Sequence, residues 1–297
     1  MISIIVPSFN HAPYLRLRIE SILSQTFQDF EIIILDDCST DNSWEFLLQY
    51  SSLPKVSHCI RNTVNSGSTF KQWKKGIELA KGEVIWIAES DDWADPDFLM
   101  QTFNLMNSKQ LALVITGSHY VDSEDKIIDE VKSEYGRGVF EGNQFCRDFM
   151  YSRNGIVNAS AVIFSKVYVK NKMLDRIEDF KLSGDHFFWV QLLKDQRVGV
   201  LDNRLNYFRW HSKSVRVSES KKLTELIEGI LIKKWVEQNF TIDFEERFQA
   251  RRNAYLTYFK FIRYNKNLKK KAELRTLISF FNPIDRIKLL IRYFLLK

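Results

Sequence analysis

The chain has 297 residues, 45% of them apolar, with 43 Lys and Arg against 37 Asp and Glu. That apolar share supports a sizeable core and excludes a disordered chain. No apolar run approaches the length that crosses a bilayer, and Ile2 to Val6 is too short, and lacks the basic leader, to be a signal sequence.

Three widely spaced cysteines, Cys38, Cys59 and Cys146, fit free thiols in a reducing cytosol better than a disulfide framework or a zinc site. Residues 245–297 carry 14 Lys and Arg against 4 Asp and Glu, whereas the rest of the chain is mildly acidic. A basic tail on an acidic body points to a polyanionic surface as partner.

Over the first 116 residues, short apolar runs alternate with longer helical patterns. Strands are predicted over 2–6, 30–35, 56–60, 84–88 and 111–116, and helices over 12–25, 41–50, 68–80 and 96–107. Near-continuous apolar strands separated by helices predict an α/β fold with a mostly parallel sheet covered on both faces. Ligands bind such sheets at the carboxyl ends of the strands, so Phe9, Asp37 and Asp91, which follow strand ends, converge on one crevice.

From 117 to 215 the pattern is mixed. Residues 135–138 read as a loop, 160–164 as a short strand and 187–193 as a helix. Residues 198–202 and 205–210 read as two strands around a turn at Asn203. From about 218 the chain is helical, with interruptions near 239–243 and at Asn282-Pro283. The first glycine is Gly67, so no Gly-rich loop follows the first strand. That excludes a dinucleotide fold or a P-loop, in which backbone must approach phosphate.

The apolar run Val84 to Ala88 ends in Glu89, Ser90, Asp91 and Asp92, and Pro96 reopens the chain at the first turn of a helix. Clustered carboxylates at a strand mouth repel one another unless a cation or a donor-rich ligand compensates them, and oxygen ligands suit magnesium or manganese. The plainer alternative is a solvated strand-to-helix loop.

At the first strand exit, Pro7-Ser8-Phe9-Asn10, the Phe9 ring either stacks on a flat base or packs under the first helix. Asp36 and Asp37 end the second strand, where one carboxylate can cap a helix and the other accept from a base or ribose; Asp41 and Ser39 are the better capping residues. Lys71, in the first turns of its helix, either reaches a phosphate or is solvated. Asp185 stands before His186-Phe187-Phe188-Trp189, as a helix-capping acid or as a base beside aromatic rings. The Arg209 fork matches phosphate oxygens, and His211 either completes a metal shell, touches a pyrophosphate or is a surface histidine.

In order and spacing, Ser3-Ile-Ile-Val-Pro-Ser-Phe-Asn10, Phe30-Glu-Ile-Ile-Ile-Leu35 with Asp36-Asp37, Glu89-Ser90-Asp91, Ser183-Gly-Asp-His-Phe-Phe-Trp189 and Leu205-Asn-Tyr-Phe-Arg-Trp-His211 resemble the inverting family-2 glycosyltransferases of the GT-A fold. The resemblance covers residues 1–215 and leaves 216–297 as a helical, basic, amphipathic extension.

It implies transfer of a sugar from a nucleotide-sugar donor, a UDP-sugar first, to an acceptor hydroxyl with inversion. It places Pro7, Phe9 and Asp37 at the base, Glu89 in the place of the family's leading Asp at the ribose, and Lys71 and Arg209 at the phosphates. Asp91, with Asp92 and His211, falls to a divalent cation, manganese or magnesium, and Asp185 is the general base. Where relatives carry Glu-Asp, this chain has Gly184-Asp185.

The expected setting is surface polysaccharide or glycolipid assembly on a saccharide or lipid-linked acceptor. The enzyme would be cytoplasmic, at the inner face of the cell membrane. Mixed aromatic and basic residues from Tyr255 to Lys266, and the helical face Ile284, Ile287, Leu290, Ile291 and Phe294, suit an anionic bilayer surface; the alternative is packing on the catalytic domain. No recognition motif points to nucleic acid. Rival readings are a nucleotidyltransferase-like metal enzyme, which the glycine-free start opposes, and a non-catalytic nucleotide-sugar-binding module.

Overall fold

The computed structural model describes residues 1–131, 135–156, 158–210 and 219–264. The chain divides into two compact units, Met1–Cys146 with Ile156–Ser212, and Arg147–Gly155 with Lys213–Lys297.

The first unit opens β1 (Ile2–Ser8), α1 (Ala12–Leu23), β2 (Phe30–Asp36), α2 (Ser43–Leu48), β3 (Val56–Arg61), α3 (Thr69–Leu79) and β4 (Val84–Ile87). It continues with β5 (Trp93–Ala94), α4 (Phe98–Lys109), β6 (Leu113–Val121), β7 (Ile127–Val131), β8 (Gly138–Glu141) and α5 (Gly142–Phe145). It closes with β9 (Val162–Ser165), α6 (Asn171–Ile177), α7 (Gly184–Leu192) and β10 (Arg197–Arg209).

One sheet holds all these strands in the order β3-β2-β1-β4-β9-β6-β10-β5, with β7 on β6 and β8 on β10. Pairing is parallel from β3 to β4, as the apolar strand runs of the first 116 residues predict. Beyond β4 the sheet is mixed, because β9 enters antiparallel between β4 and β6 while β10 runs parallel to β6. Two faces are covered. Ile2, Ile4, Val6 and Trp86 join Leu15, Ile19 and Ile22 of α1 and Phe98 and Leu99 of α4 in one core. On the other face α3 lies on β1 so closely that a Cβ on Gly76 would stand 2.4 Å from the Ile5 side chain. Glycine is required there by contact distance, not by backbone angle.

Three local expectations are corrected. The turn at Asn203 is a bulge: β10 runs unbroken from Arg197 to Arg209, and its register against β6 shifts between Val200 and Asn206, leaving Asp202 and Asn203 exposed. Gly138 lies in β8, paired with Val200, and not in a loop. Pro96 precedes α4, because its carbonyl is held by the Thr26 N–H at 2.8 Å and the helix starts at Phe98.

In the second unit, α8 (Glu219–Asn239) and α9 (Phe244–Tyr264) pack together, with a break at 240–243 near where the sequence predicts one. The Glu237 carboxylate accepts from the Tyr151 hydroxyl at 2.6 Å and pairs with the Arg251 guanidinium. Among the described residues no helix is long and apolar enough to cross a membrane. The amphipathic face at 284–294 lies outside the described residues.

Candidate active site at the carboxyl ends of β1, β2 and β4

The chain runs β1 to β2 to β3 in one direction and then crosses to β4 on the other side of β1, so a crevice opens between the ends of β1 and β4. Pro7 helps to shape it. Ile2 donates to the Asp29 carbonyl and the Ser8 carbonyl accepts from Asp37, so even-numbered residues of β1 face β2. Ser3, Ile5 and Pro7 therefore face β4, where the ladder ends at Ile5 opposite Ile87. Pro7 falls one step beyond that end, where a missing N–H breaks no ladder bond. Phe9, just past the strand, is 43% exposed, and its ring is open to stacking.

The β1 and β2 exits are tied to each other. Asn10 and Cys38 both have left-handed backbones, with φ of 55° and 61°. Asn tolerates this region and Cys does so less readily. Asn10 donates its N–H to Ser39 Oγ at 3.0 Å, and its Oδ1 accepts from the Thr40 N–H at 2.8 Å. Asp36 is buried and accepts from the Ser39 N–H and hydroxyl. Asp41 caps two helices, accepting from Ala12 N–H at 3.1 Å and Ser43 N–H at 3.0 Å.

Asp37, expected at the base, is buried, and it is the hub of the β2 exit. Its Oδ1 accepts from Asn62 Nδ2 (2.6 Å), Ser66 N–H (2.9 Å) and Gln72 Nε2 (2.9 Å), and its Oδ2 from the Ser66 hydroxyl (2.8 Å). In this geometry the carboxylate shapes the turn before α3. Lys71 is exposed on that helix, with Nζ 3.2 Å from the Ser66 carbonyl, so it stands on the same rim.

The acidic loop after β4 is gripped residue by residue. Glu89 Oε1 accepts from Trp73 Nε1 of α3 at 2.9 Å. The Glu89 N–H donates to Ser160 Oγ at 3.0 Å, and its carbonyl accepts from Arg18 Nε at 2.8 Å. Ser90 Oγ bonds His11 Nδ1 at 2.7 Å. Asp91 is part-buried, and its carbonyl accepts from Arg209 Nε at 2.9 Å. Asp92 is buried; its Oδ1 accepts from the Arg209 N–H at 3.0 Å, and its Oδ2 is 4.0 Å from Arg18 Nη2. Burial and the charge of Asp91 push Glu89 up to about 8 and Asp92 up to about 6. Burial and mutual repulsion thus make ionisation of these two carboxyls costly in the protein alone.

Two expected roles change in this light. Arg209 is buried between Tyr14 and Trp93, with its guanidinium carbon 4.4 and 5.1 Å from their ring centroids. Its Nη1 donates to the Asp122 carbonyl at 2.7 Å and its Nη2 pairs with Asp125, so each nitrogen has a partner within the protein. Arg209 thus positions the loop and offers no open fork to a phosphate. Asp92, expected beside Asp91 at the cation, turns inward to Arg18 and the Arg209 backbone. His211 lies outside the described residues.

Asp185 sits in the first turn of α7 and is nearly buried. That helix joins the acidic loop through Trp73, whose ring centroid is 6.2 Å from that of Phe188 and 5.8 Å from that of Trp189. A Cβ on Gly184 would stand 2.7 Å from the Phe70 ring, so Phe70 fills the room that a side chain at 184 needs.

Sequence reasoning passes over Arg18 and Ser160. Ser160 carries no signal. Arg18 does: with Leu15, Ile19 and Ile22 it falls at the i, i+3, i+4, i+7 positions of the apolar face, a charge where a core residue belongs.

Among the described residues, no three His, Cys, Asp or Glu side chains converge as a ready-made metal cage. The donor chemistry still fits a hard divalent cation, since the loop carries the clustered carboxylate oxygens of Glu89, Asp91 and Asp92.

The site is a carboxylate loop at the switch point of an α/β sheet, with a second carboxylate on a helix tied to it. The chain belongs to glycosyl transferase family 2, whose family model matches residues 3–174. It is 26% identical over 232 residues to the Escherichia coli UDP-Glc:alpha-D-GlcNAc-diphosphoundecaprenol beta-1,3-glucosyltransferase WfaP, covering 75% of this chain and 82% of that one. In fold it is similar to S. aureus TarS 1-349 in complex with UDP-GlcNAc, with a TM-score of 0.66 and 18% identity over 94% of this chain and 79% of that one. It is also similar to the mannosyltransferase PcManGT from Pyrobaculum calidifontis in complex with GDP-Man and Mn2+, with a TM-score of 0.58 and 13% identity over 99% and 84%. The GT-A-like fold expected from the sequence is the one observed.

Proposed function

We propose that this glycosyltransferase moves a sugar from a nucleoside diphosphate sugar donor to an acceptor hydroxyl with inversion at the anomeric carbon. The observation that carries the reading is the pairing, through Trp73, of the acidic loop at Asp91 with Asp185 at the head of α7. Phe9 offers a ring to the base, and the loop built around Asp37 and Asn10 shapes the floor beneath it. Asp91, with His211, would hold a divalent cation, which supplies positive charge to the departing diphosphate. Asp185 takes the proton of the acceptor hydroxyl as that oxygen attacks from the face opposite the leaving group. Phe187, Phe188 and Trp189, buried beside it on α7, fix the turn that carries the carboxylate.

A UDP-sugar and a lipid-diphosphate-linked acceptor are the first choices, supported by the names of the E. coli relative and of the TarS complex. The Mn2+ in the PcManGT complex supports the cation. The basic segment 245–297 would place the enzyme on the anionic cytoplasmic leaflet, supported by its 14 Lys and Arg interleaved with aromatic residues. Salt-sensitive co-sedimentation with anionic liposomes is expected; a chain that stays in the supernatant at low salt rules the membrane role out.

The deciding experiment measures release of nucleoside diphosphate from UDP-, GDP- and TDP-sugars with manganese or magnesium. One donor class is expected to turn over only with the cation, and Asp91→Asn is expected to lose metal-dependent donor binding by calorimetry. Equal donor affinity with and without manganese, in both proteins, would overturn the cation reading.

A further inference from the structure

Arg18 is the one charged residue among the buried residues of α1, and it is 0% exposed. Burying a guanidinium costs several kcal/mol (order of magnitude) unless its surroundings answer the charge. Its surroundings are the acidic loop. Nε donates to the Glu89 carbonyl at 2.8 Å, Nη2 donates to Ser160 Oγ at 3.1 Å, and Nη2 lies 4.0 Å from Asp92 Oδ2. Its guanidinium carbon is 5.4 Å from the Trp86 ring centroid, on the strand that leads into the loop. Burial lowers its pKa to about 10 against the pull of Asp92, Asp91 and Glu89, so it stays charged at neutrality.

The geometry closes a triangle. Ser160 Oγ accepts from both Arg18 Nη2 and the Glu89 N–H, so the peptide groups either side of the Glu89 α-carbon are held by one pair of side chains. Arg18 also faces the buried carboxylate of Asp92 while the Arg209 backbone holds its other oxygen.

We propose that Arg18 is a positioning residue for sugar transfer. It is a fixed internal cation that shapes the acidic loop before any divalent ion arrives, holding the Glu89 peptide groups in place and Asp92 inward. This rests on the cation reading given above for the part that concerns metal. The shaping of the loop is a property of the metal-free protein.

The fork is required as well as the charge, because Nε and Nη2 grip two different groups. Arg18→Lys keeps the charge and loses the fork; Arg18→Met keeps volume and loses both; Ser160→Ala leaves Arg18 in place and removes the shared acceptor. In the metal-free full chain, hydrogen exchange of a peptide spanning 87–93 should quicken at least tenfold in Arg18→Lys and in Ser160→Ala, while peptides from β1 and β2 stay protected. In turnover, both should raise the manganese concentration for half-maximal rate about tenfold and leave the acceptor KM unchanged.

Exchange at 87–93 equal to wild type in a folded Arg18→Lys or Ser160→Ala protein would overturn the proposal. So would restoration by Arg18→Lys of whatever Arg18→Met loses, which would make the residue a simple counter-charge. If Arg18→Met fails to fold, the other two variants decide. If the wild-type chain binds no manganese, the cation reading fails, and the exchange experiment alone decides for or against Arg18.

Discussion

Trp73 donates its indole N–H to Glu89 at 2.9 Å, and by that bond α3 is tied to the acidic loop. The same ring packs on Phe188 and Trp189 of α7. One buried side chain therefore sets the distance between the loop that carries Asp91 and the helix that carries Asp185.

Trp73→Phe keeps much of the packing and removes the donor. Leaving Glu89 without it should cost about 1–3 kcal/mol of stability. Urea denaturation of the metal-free protein measures this, and turnover should fall more steeply than donor binding, because the spacing of the two carboxylates is what changes.

Asp185→Asn keeps shape and removes basicity. Turnover should fall roughly 10²–10⁴-fold with donor affinity near wild type. Normal turnover in this variant would leave Asp185 as a helix-terminal acid only.

The acidic loop links stability to pH. Glu89 and Asp92 have pKa values raised in the folded state, to about 8 and about 6. A raised carboxylate favours folding when protonated, so metal-free protein should gain melting temperature as pH falls from about 8 towards the ordinary carboxylate range. A bound cation favours the ionised forms and should flatten that slope. Thermal melts at pH 8, 7 and 6, in chelator and then in manganese, test both statements; Glu89→Gln should remove most of the slope between pH 8 and 7.

Gly184→Ala puts a methyl group 2.7 Å from the Phe70 ring. The overpacking should cost about 1–3 kcal/mol. Phe70→Leu in the same chain should return part of that loss in urea titrations, which would locate the strain at this pair.

The parallel core from β3 to β4 is legible in the sequence because its strands are continuous apolar runs with helical patterns between them. Short or exposed elements are not: β5 has two residues, β7 exposes Ile127 and Ile128, and β8 alternates partly buried and exposed positions. The partner of β5 and β8 is β10, far away in sequence, so no local pattern announces their pairing, while β7 folds back on its neighbour β6 with its isoleucines left exposed. The site shows the same division. Motif spacing finds the strand exits and their acids, but not which acid is buried. Asp37 and Asp92 look free in the sequence and turn out to be held by donors from other elements, and Arg209 is held between two rings.

The four donors on Asp37 come from Asn62, Ser66 and Gln72, 25 to 35 residues downstream. The end of β2 can therefore reach its final shape only after β3 has paired and the first turns of α3 have docked. This makes the carboxyl end of β2 a late event in folding, paid for by closing a loop of that length. The same order runs in reverse: fraying at the start of α3 strips donors from a buried carboxylate, so the floor of the crevice is poised to open locally while the strands behind it stay paired.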